Sequence, residues 1–476
     1  MYNELEPKEV FYWFKKLSEI PRCSGDEKRV SDFLVEFAKD RNLEVKQDSE
    51  SNVIIKKAGT EGFENSVPII IQGHMDMVCV KTEESNHDFI CDPIELIVEG
   101  DIIRANNTTL GADNGIAVAF GLAILDSNEI PHPPLELLVT TNEETGMDGA
   151  AIVKGEDFKG KMLLNIDSEE EGVFLVSCAG GVNQTVSFTL EKEANTQKAA
   201  QIVVSGLKGG HSGMEIIKQR GNAIKILTRV LYKLREEIGI RICTITGGSK
   251  HNVIPSNAQS IISLRDYDKA VQIVSKLTSD IQEEYRVEEP GLKIEISETN
   301  ANEKLVRNVS NDILDFLMIA PNGVQSMSKD IENLVQTSLN IGVLEEIDDQ
   351  LKVILALRSS SASSLEELSG VVRTAAHRTC AEIIPSNAYP AWQYEAESKI
   401  RDLSLEVYSE VFNKEAEVSA IHAGLECGIL KEAMPDVEMI SFGPNITGAH
   451  TVAESLSINS VQNIWKFTLA LLGKLK

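Results

Sequence analysis

Positive charge is scarce in this chain: 46 Lys and Arg stand against 73 Asp and Glu, leaving a net charge of −27 over 476 residues. Such a field repels phosphate backbones and anionic membrane surfaces, which argues against nucleic-acid and membrane partners and favours a small or zwitterionic substrate. Part of the acidity does no more than keep a surface soluble. No run of eighteen apolar residues occurs, and the N-terminal stretch MYNELEPKEV lacks the apolar core of a secretion signal. The seven cysteines are odd in number, widely spread and without a C-x-x-C pair, a pattern that suits free thiols in a reducing compartment. The chain therefore reads as a soluble cytoplasmic protein.

The chain is long for one hydrophobic core, so two domains are expected. Its organising stretch is IIIQGHMDMV at 69–78, a buried β-branched strand that stops at Gly73-His74-Met75-Asp76. Open α/β sheets bind their ligands at such carboxyl edges. Two amphipathic helices precede it, and Ser24 with Glu27 has the spacing of a capping box for the second. A strand is expected at 52–56 and a hairpin at 95–104 turning on Gly100. A very apolar helix should follow Asp113-Asn114, and buried strands at 135–141 and 162–166 end in Asn142-Glu143-Glu144 and Asp167. This alternation describes an α/β fold with a mostly parallel, helix-flanked sheet. After Cys178-Ala179-Gly180-Gly181 the texture changes to long alternating strands, amphipathic helices and acidic connectors. The expected organisation is a first part of the catalytic domain at 1–181, an inserted α+β lid at 182–388, and a return to the catalytic domain at 389–476. Within the insertion, SIISLR (260–265) and VILALR (353–358) each lead into a helix, which is either an internal duplication or a chance likeness of two units.

His74, Asp76, Asp113, Glu143, Glu144, Asp167 and His450 gather at strand ends and loops. Singly, each is an ordinary solvated turn residue. Jointly, two His and several carboxylates without Cys suit Zn²⁺, Co²⁺ or Mn²⁺, and they outnumber what one tetrahedral ion needs, which points to a two-metal site.

The blocks GHMDMV, TTLGADNGI, TTNEETGMDGA, NIDSEEEG, CAGG, GGHSGMEI, HNVIPSNA, HAGLECG and GAHTVAE, in this order, resemble the aminoacyl-histidine dipeptidases (peptidase D, carnosinase-like). These belong to a large dizinc peptidase family that also holds glutamate carboxypeptidase and aminoacylase. The likeness runs from about Pro21 to Glu454, with Cys23 standing where relatives often carry Pro. It implies that His74, Asp113 and Asp167 hold one ion and Asp113, Glu144 and His450 the other, with Asp113 bridging. Asp76 would orient His74, and Glu143 would be the general base. It further implies a cis peptide at Asp113-Asn114 and a polarising role for His211, which the residues alone would favour reading as a turn histidine between glycines. Asn252, Arg358 and Gly424, the last at a helix N-terminus, would bind the substrate backbone and its C-terminal carboxylate. For His422 and Glu426, packing is favoured over metal binding.

The implied activity is metal-dependent hydrolysis of dipeptides of the Xaa-His type, such as carnosine, and of other unblocked dipeptides. A deacylase or broader aminopeptidase of the same family, and a metal-binding protein with a dead site, stay open as alternatives. In dimeric relatives the polarising His serves the neighbouring subunit. The enlarged lid here would make one chain sufficient, with Arg358 in a second lobe standing where a partner's residue would otherwise be, and a homodimer also stays open. Gly180-Gly181 and the 385–390 segment are the expected hinges of the lid.

Overall fold

The computed structural model describes residues 2–299, 304–306 and 308–476. They divide into two compact units, one made of Met1–Ser177, Tyr394–Ala420 and Leu425–Lys476, the other of Cys178–Gln393 and Ile421–Gly424. The expected boundaries at 182 and 388 thus lie inside the second unit.

The first unit is built on an eight-stranded sheet in the order Glu44–Gln47, Val53–Lys57, Leu135–Thr140, Ile69–His74, Met162–Asn165, Glu438–Ser441, Val173–Cys178, Glu417–Ile421. The four central strands, 135–140, 69–74, 162–165 and 438–441, run parallel. Antiparallel strands flank them. Every residue of Ile69–His74 and Leu135–Thr140 is buried, as expected of a parallel sheet covered on both faces. The α/β assignment holds, with the parallel part confined to the centre. Helix Ala112–Asp126 is buried along almost its whole length and packs against helix Lys8–Ser18 and the strand Ile69–His74. Each fully buried Leu, Ile or Phe on these faces contributes about 1.5–3 kcal/mol. Helices Lys399–Phe412 and Ile458–Lys474 bring the end of the chain back, and Phe174, Tyr408, Phe442 and Phe467 interlock beneath them.

Two local expectations need correction. Ser24 and Glu27 do not form a capping box on helix Lys28–Asp40, which has no side-chain N-cap. Ser24 Oγ instead donates to Asp76 Oδ2 at 2.8 Å, and Glu27 Oε1 accepts from the N–H groups of Gly25 and Asn142. Tertiary partners have won over local ones. Nor are all cysteines thiols: Cys23 and Cys79 are joined in a disulfide.

The second unit carries a nine-stranded antiparallel sheet. Its first lobe runs strand Lys198–Ser205, helix Ala223–Ile238, strands Arg241–Gly248 and Ala258–Leu264, helix Tyr267–Glu284, strand Lys293–Thr299. Its second lobe repeats that order with strand Gly180–Thr189, helix Ser310–Ile319, strands Val335–Ile347 and Gln350–Ser359, helix Ala362–Arg378, strand Glu382–Tyr389. Spatial strand order is reversed between the lobes, which join through the second strand of each, Gly247 and Gly248 pairing with Leu344 and Val343. The SIISLR and VILALR segments fill the same place in the two lobes. Each is followed by an N-cap, Asp266 accepting from Lys269 N and Ser361 from Ser364 N. Gly180-Gly181 and Pro385, expected in hinges, lie within paired strands of this sheet.

Candidate metal centre and substrate-binding residues

Three strand ends, one helix start and one turn of the first unit deliver side chains to one point. His74 closes the strand Ile69–His74, Glu143 and Glu144 follow the strand Leu135–Thr140, and Asp167 follows Met162–Asn165. Asp113 sits where non-helical torsions interrupt the start of helix Ala112–Asp126, and its peptide bond to Asn114 is cis. His450 comes from a left-handed turn residue, φ 63°. Asn114 ties the strand ends together, its Oδ1 accepting from His74 N and its Nδ2 donating to Ile166 O. Gly73 has to be glycine, because a Cβ there would run into Asn114 Oδ1 and Ala117.

His74 Nε2 lies 3.2 Å from Asp113 Oδ1 and 3.5 Å from Asp167 Oδ1. His450 Nε2 lies 3.1 Å from Asp113 Oδ2 and 2.9 Å from Glu144 Oε2. Asp113 thus offers one oxygen to each histidine. Two of the possible ligand groups are His74 with Asp113 and Asp167, and Asp113 with Glu144 and His450, ligand atoms within 4.8 Å of one another. A third group, His74 with Glu143 and Glu144, overlaps them. Behind His74, Asp76 Oδ1 stands 3.2 Å from Nδ1. Asp76 also accepts from Ser24 and from the N–H groups of Glu143 and Glu144, which fixes the turn carrying both glutamates.

The electrostatics show a site short of positive charge. Burial opposes protonation of His74, yet Asp167, Asp113 and Asp76 raise it well above the usual histidine value. Hydrogen bonds to Asp113 and Glu144 raise His450 to about 11. Burial also opposes ionisation of Asp113, but His450 and His74 hold it well below the carboxylate range. Asp167 is pushed up to about 6 by burial, which outweighs His74. Glu143 rises well above the ordinary value, first through burial and then through Asp167, Glu426 and Glu144, against the pull of His74. Among the described residues, buried Glu144 Oε1 has no hydrogen-bond partner and Asp167 Oδ1 has only the 3.5 Å approach of His74 Nε2. Orphaned carboxylate oxygens converging on two histidines are what divalent cations with N and O ligands require, so the residues fit such ions.

In the second unit, His211 belongs to a short strand paired with Val253–Ile254, beside Asn252. Its Nδ1 accepts from Gly213 N at 3.3 Å and Met214 N at 3.0 Å, so the ring proton of the neutral form sits on Nε2. Burial and then the charge of Arg358 lower the pKa of this ring, which favours that neutral form. Arg358 donates to the Tyr389 hydroxyl at 3.0 Å, while its buried Nε has no partner among the described residues. Ser338, opposite Arg358 on the neighbouring strand, bonds His422 Nε2 at 2.7 Å. His422 is pushed down to about 3 by burial and by Arg358 and His211, so it is a neutral, packed residue. Gly424 precedes helix Glu426–Ala433 by two residues. Tyr389 has no motif around it and is found only through its contact with Arg358.

The "peptidase dimerisation domain" family matches residues 202–289, which fall in the first lobe of the second unit. The chain is 36% identical over 481 residues to the cytosol non-specific dipeptidase of Escherichia coli, covering 99% of each chain. The crystal structure of an aminoacylhistidine dipeptidase from Vibrio alginolyticus superimposes with a TM-score of 0.94 at 36% identity, over 99% of this chain and 98% of that one. The aminopeptidase PepT of Bacillus cereus shares the fold, with a TM-score of 0.57 at 14% identity over 99% of each chain.

Proposed function

The chain belongs to the dipeptidase family that includes the cytosol non-specific and aminoacylhistidine dipeptidases, and from that premise we propose that it hydrolyses unblocked dipeptides, those ending in His among them, at the cluster around Asp113. It is a hydrolase acting on peptide bonds. The observation that carries the site reading is the pair of ligand groups sharing Asp113, with Glu143 beside them at 4.0 Å from His74 Nε2.

His74, Asp113 and Asp167 would hold one divalent cation, and Asp113, Glu144 and His450 the other, Zn²⁺ by ligand type with Co²⁺ or Mn²⁺ as substitutes. Two bound cations supply acidification of the attacking water and charge stabilisation at the scissile carbonyl. Glu143 takes the proton from that water on its carboxylate and passes it to the departing amine nitrogen. Asp76 keeps His74 in one tautomer and orientation. His211, neutral with its proton on Nε2, is assigned the oxyanion as a hydrogen-bond donor. Arg358, with an unpaired Nε, is assigned the C-terminal carboxylate, assisted by Asn252 and Gly424.

The second lobe occupies the edge of strand Arg241–Gly248 within the same chain. This supports an enzyme complete as a single chain, and obligate dimeric activity in sedimentation at low concentration would refute that. The relative's name supports a cytoplasmic setting.

The test is hydrolysis of β-Ala-His, Gly-His, Ala-Ala and an N-acetyl amino acid by metal-stripped protein, with and without Zn²⁺, Co²⁺ or Mn²⁺. Metal-dependent cleavage of the dipeptides is the expected result. Cleavage of the acetylated compound alone would make the chain a deacylase, and silence throughout would make it a binding protein.

A further inference from the structure

The two ligand groups draw on segments far apart in sequence, and two buried charged side chains join those segments without touching the histidines. Glu454, 2% exposed, lies four residues after His450. Its Oε2 accepts from Leu110 N at 2.7 Å and Gly111 N at 3.0 Å, and its Oε1 from Ala112 N at 2.8 Å and Asp113 N at 3.3 Å. One carboxylate thus gathers the orphan donors that open helix Ala112–Asp126, up to and including the N–H of Asp113 itself. Arg22, also 2% exposed, grips the same turn from the other side. Its guanidinium donates to the Gly111 carbonyl and to the carbonyls of Met75, at 2.9 Å, and Asp76, at 3.2 Å. Gly111, at φ 71°, leaves the room this needs: a Cβ there would lie 2.5 Å from the guanidinium and 2.7 Å from Met77 Sδ.

We propose that Glu454 and Arg22 are positioning residues that fix the spacing of His74, Asp113 and His450, and through it set the affinity of the site for its cations. Glu454 joins the His450 segment to the Asp113 turn, and Arg22 joins that turn to the end of the strand carrying His74 and Asp76. Ligand distances are held to a few tenths of an ångström in metal sites, so loosening either link misplaces ligands that stay chemically intact. This rests on the ligand assignment above.

The experiment compares wild type with Glu454→Gln by chelator-competition titration of Zn²⁺ and by the visible absorption spectrum of the Co²⁺-loaded protein. A glutamine amide keeps the length of the side chain but places an NH₂ group against backbone donors. Cation affinity falls about 10–100-fold, as for other groups that orient ligands, and the Co²⁺ bands change position or intensity. Glu136→Gln is the control. That buried carboxylate accepts from Lys159 N and Gly160 N, and its loss lowers stability while leaving affinity and spectrum alone. Glu454→Asp keeps the charge with a shorter reach and gives an intermediate affinity, which serves if the glutamine variant does not fold. Wild-type affinity and spectrum in a folded Glu454 variant would overturn the proposal by itself. A wild-type protein that binds no cation would overturn the ligand assignment and the proposal with it.

Discussion

Glu426 offers a prediction whose size can be worked from its surroundings. It is fully buried, its Oε2 accepting from Gln72 Nε2 at 2.6 Å and Thr140 Oγ1 at 2.7 Å, while its Oε1 has no partner among the described residues. Burial, with Asp167 and Asp76 adding to it against His74 and Thr140, raises it from 4.5 to about 7. An acid whose folded value lies above its unfolded value costs nothing below pH 4.5, where both states carry the proton. Between pH 4.5 and 7 the unfolded state releases the proton first, so stability falls. Above pH 7 the full penalty is present, roughly 3 kcal/mol at about 1.4 kcal/mol per unit. Glu426→Gln imitates the protonated acid and has no such penalty. In urea unfolding of the metal-free protein followed by tryptophan fluorescence, the variant should gain about 3 kcal/mol on the wild type between pH 4.5 and 8. Parallel pH profiles for the two proteins, or a variant that loses ground as pH rises, would refute the reasoning.

Asp76→Asn leaves at least one of the donors Ser24 Oγ, Glu143 N and Glu144 N without its acceptor. It should cost about 1–3 kcal/mol in thermal unfolding and about 10–100-fold in cation affinity by titration. Arg358→Ala should lower kcat/KM for dipeptides by roughly tenfold to a hundredfold, the value of a charge-assisted bond of about 1.5–3 kcal/mol, and equal loss with a substrate whose C-terminal carboxylate is amidated would contradict the role. Tyr389→Phe removes the hydroxyl that accepts from Arg358. It should raise KM a few-fold with kcat unchanged, and a loss of kcat alone would contradict a positioning role.

The strand ends are visible in the sequence because apolar β-branched runs stop abruptly in His, Asp or Glu, as at 69–76 and 162–167, and that contrast survives without coordinates. Burial of helix Ala112–Asp126 follows from its composition alone. Ser24 and Glu27 mislead because capping-box spacing is a local signal, while the partners they choose, Asp76 and the N–H of Asn142, come from elsewhere in the fold. The Cys23–Cys79 bond spans 56 residues with no spacing motif to announce it. Arg22 and Glu454 are silent for the same reason. Glu454 meets Leu110 across 344 residues, and its partners are backbone groups, which no pattern of side chains can encode. The parallel order of the central strands follows from alternating strands and helices, whereas the antiparallel flanks depend on chain reversals too short to leave a helix.

Proton transfer by Glu143 and cation binding by the other residues are separated by one measurement: turnover of Gly-His by Glu143→Gln, with bound metal counted in the same sample. The expected result is a loss of at least about 10²-fold in kcat, the range for a positioned general base, with two cations per chain retained as in the wild type. Full activity in that variant, or loss of activity that merely follows loss of metal, would contradict it.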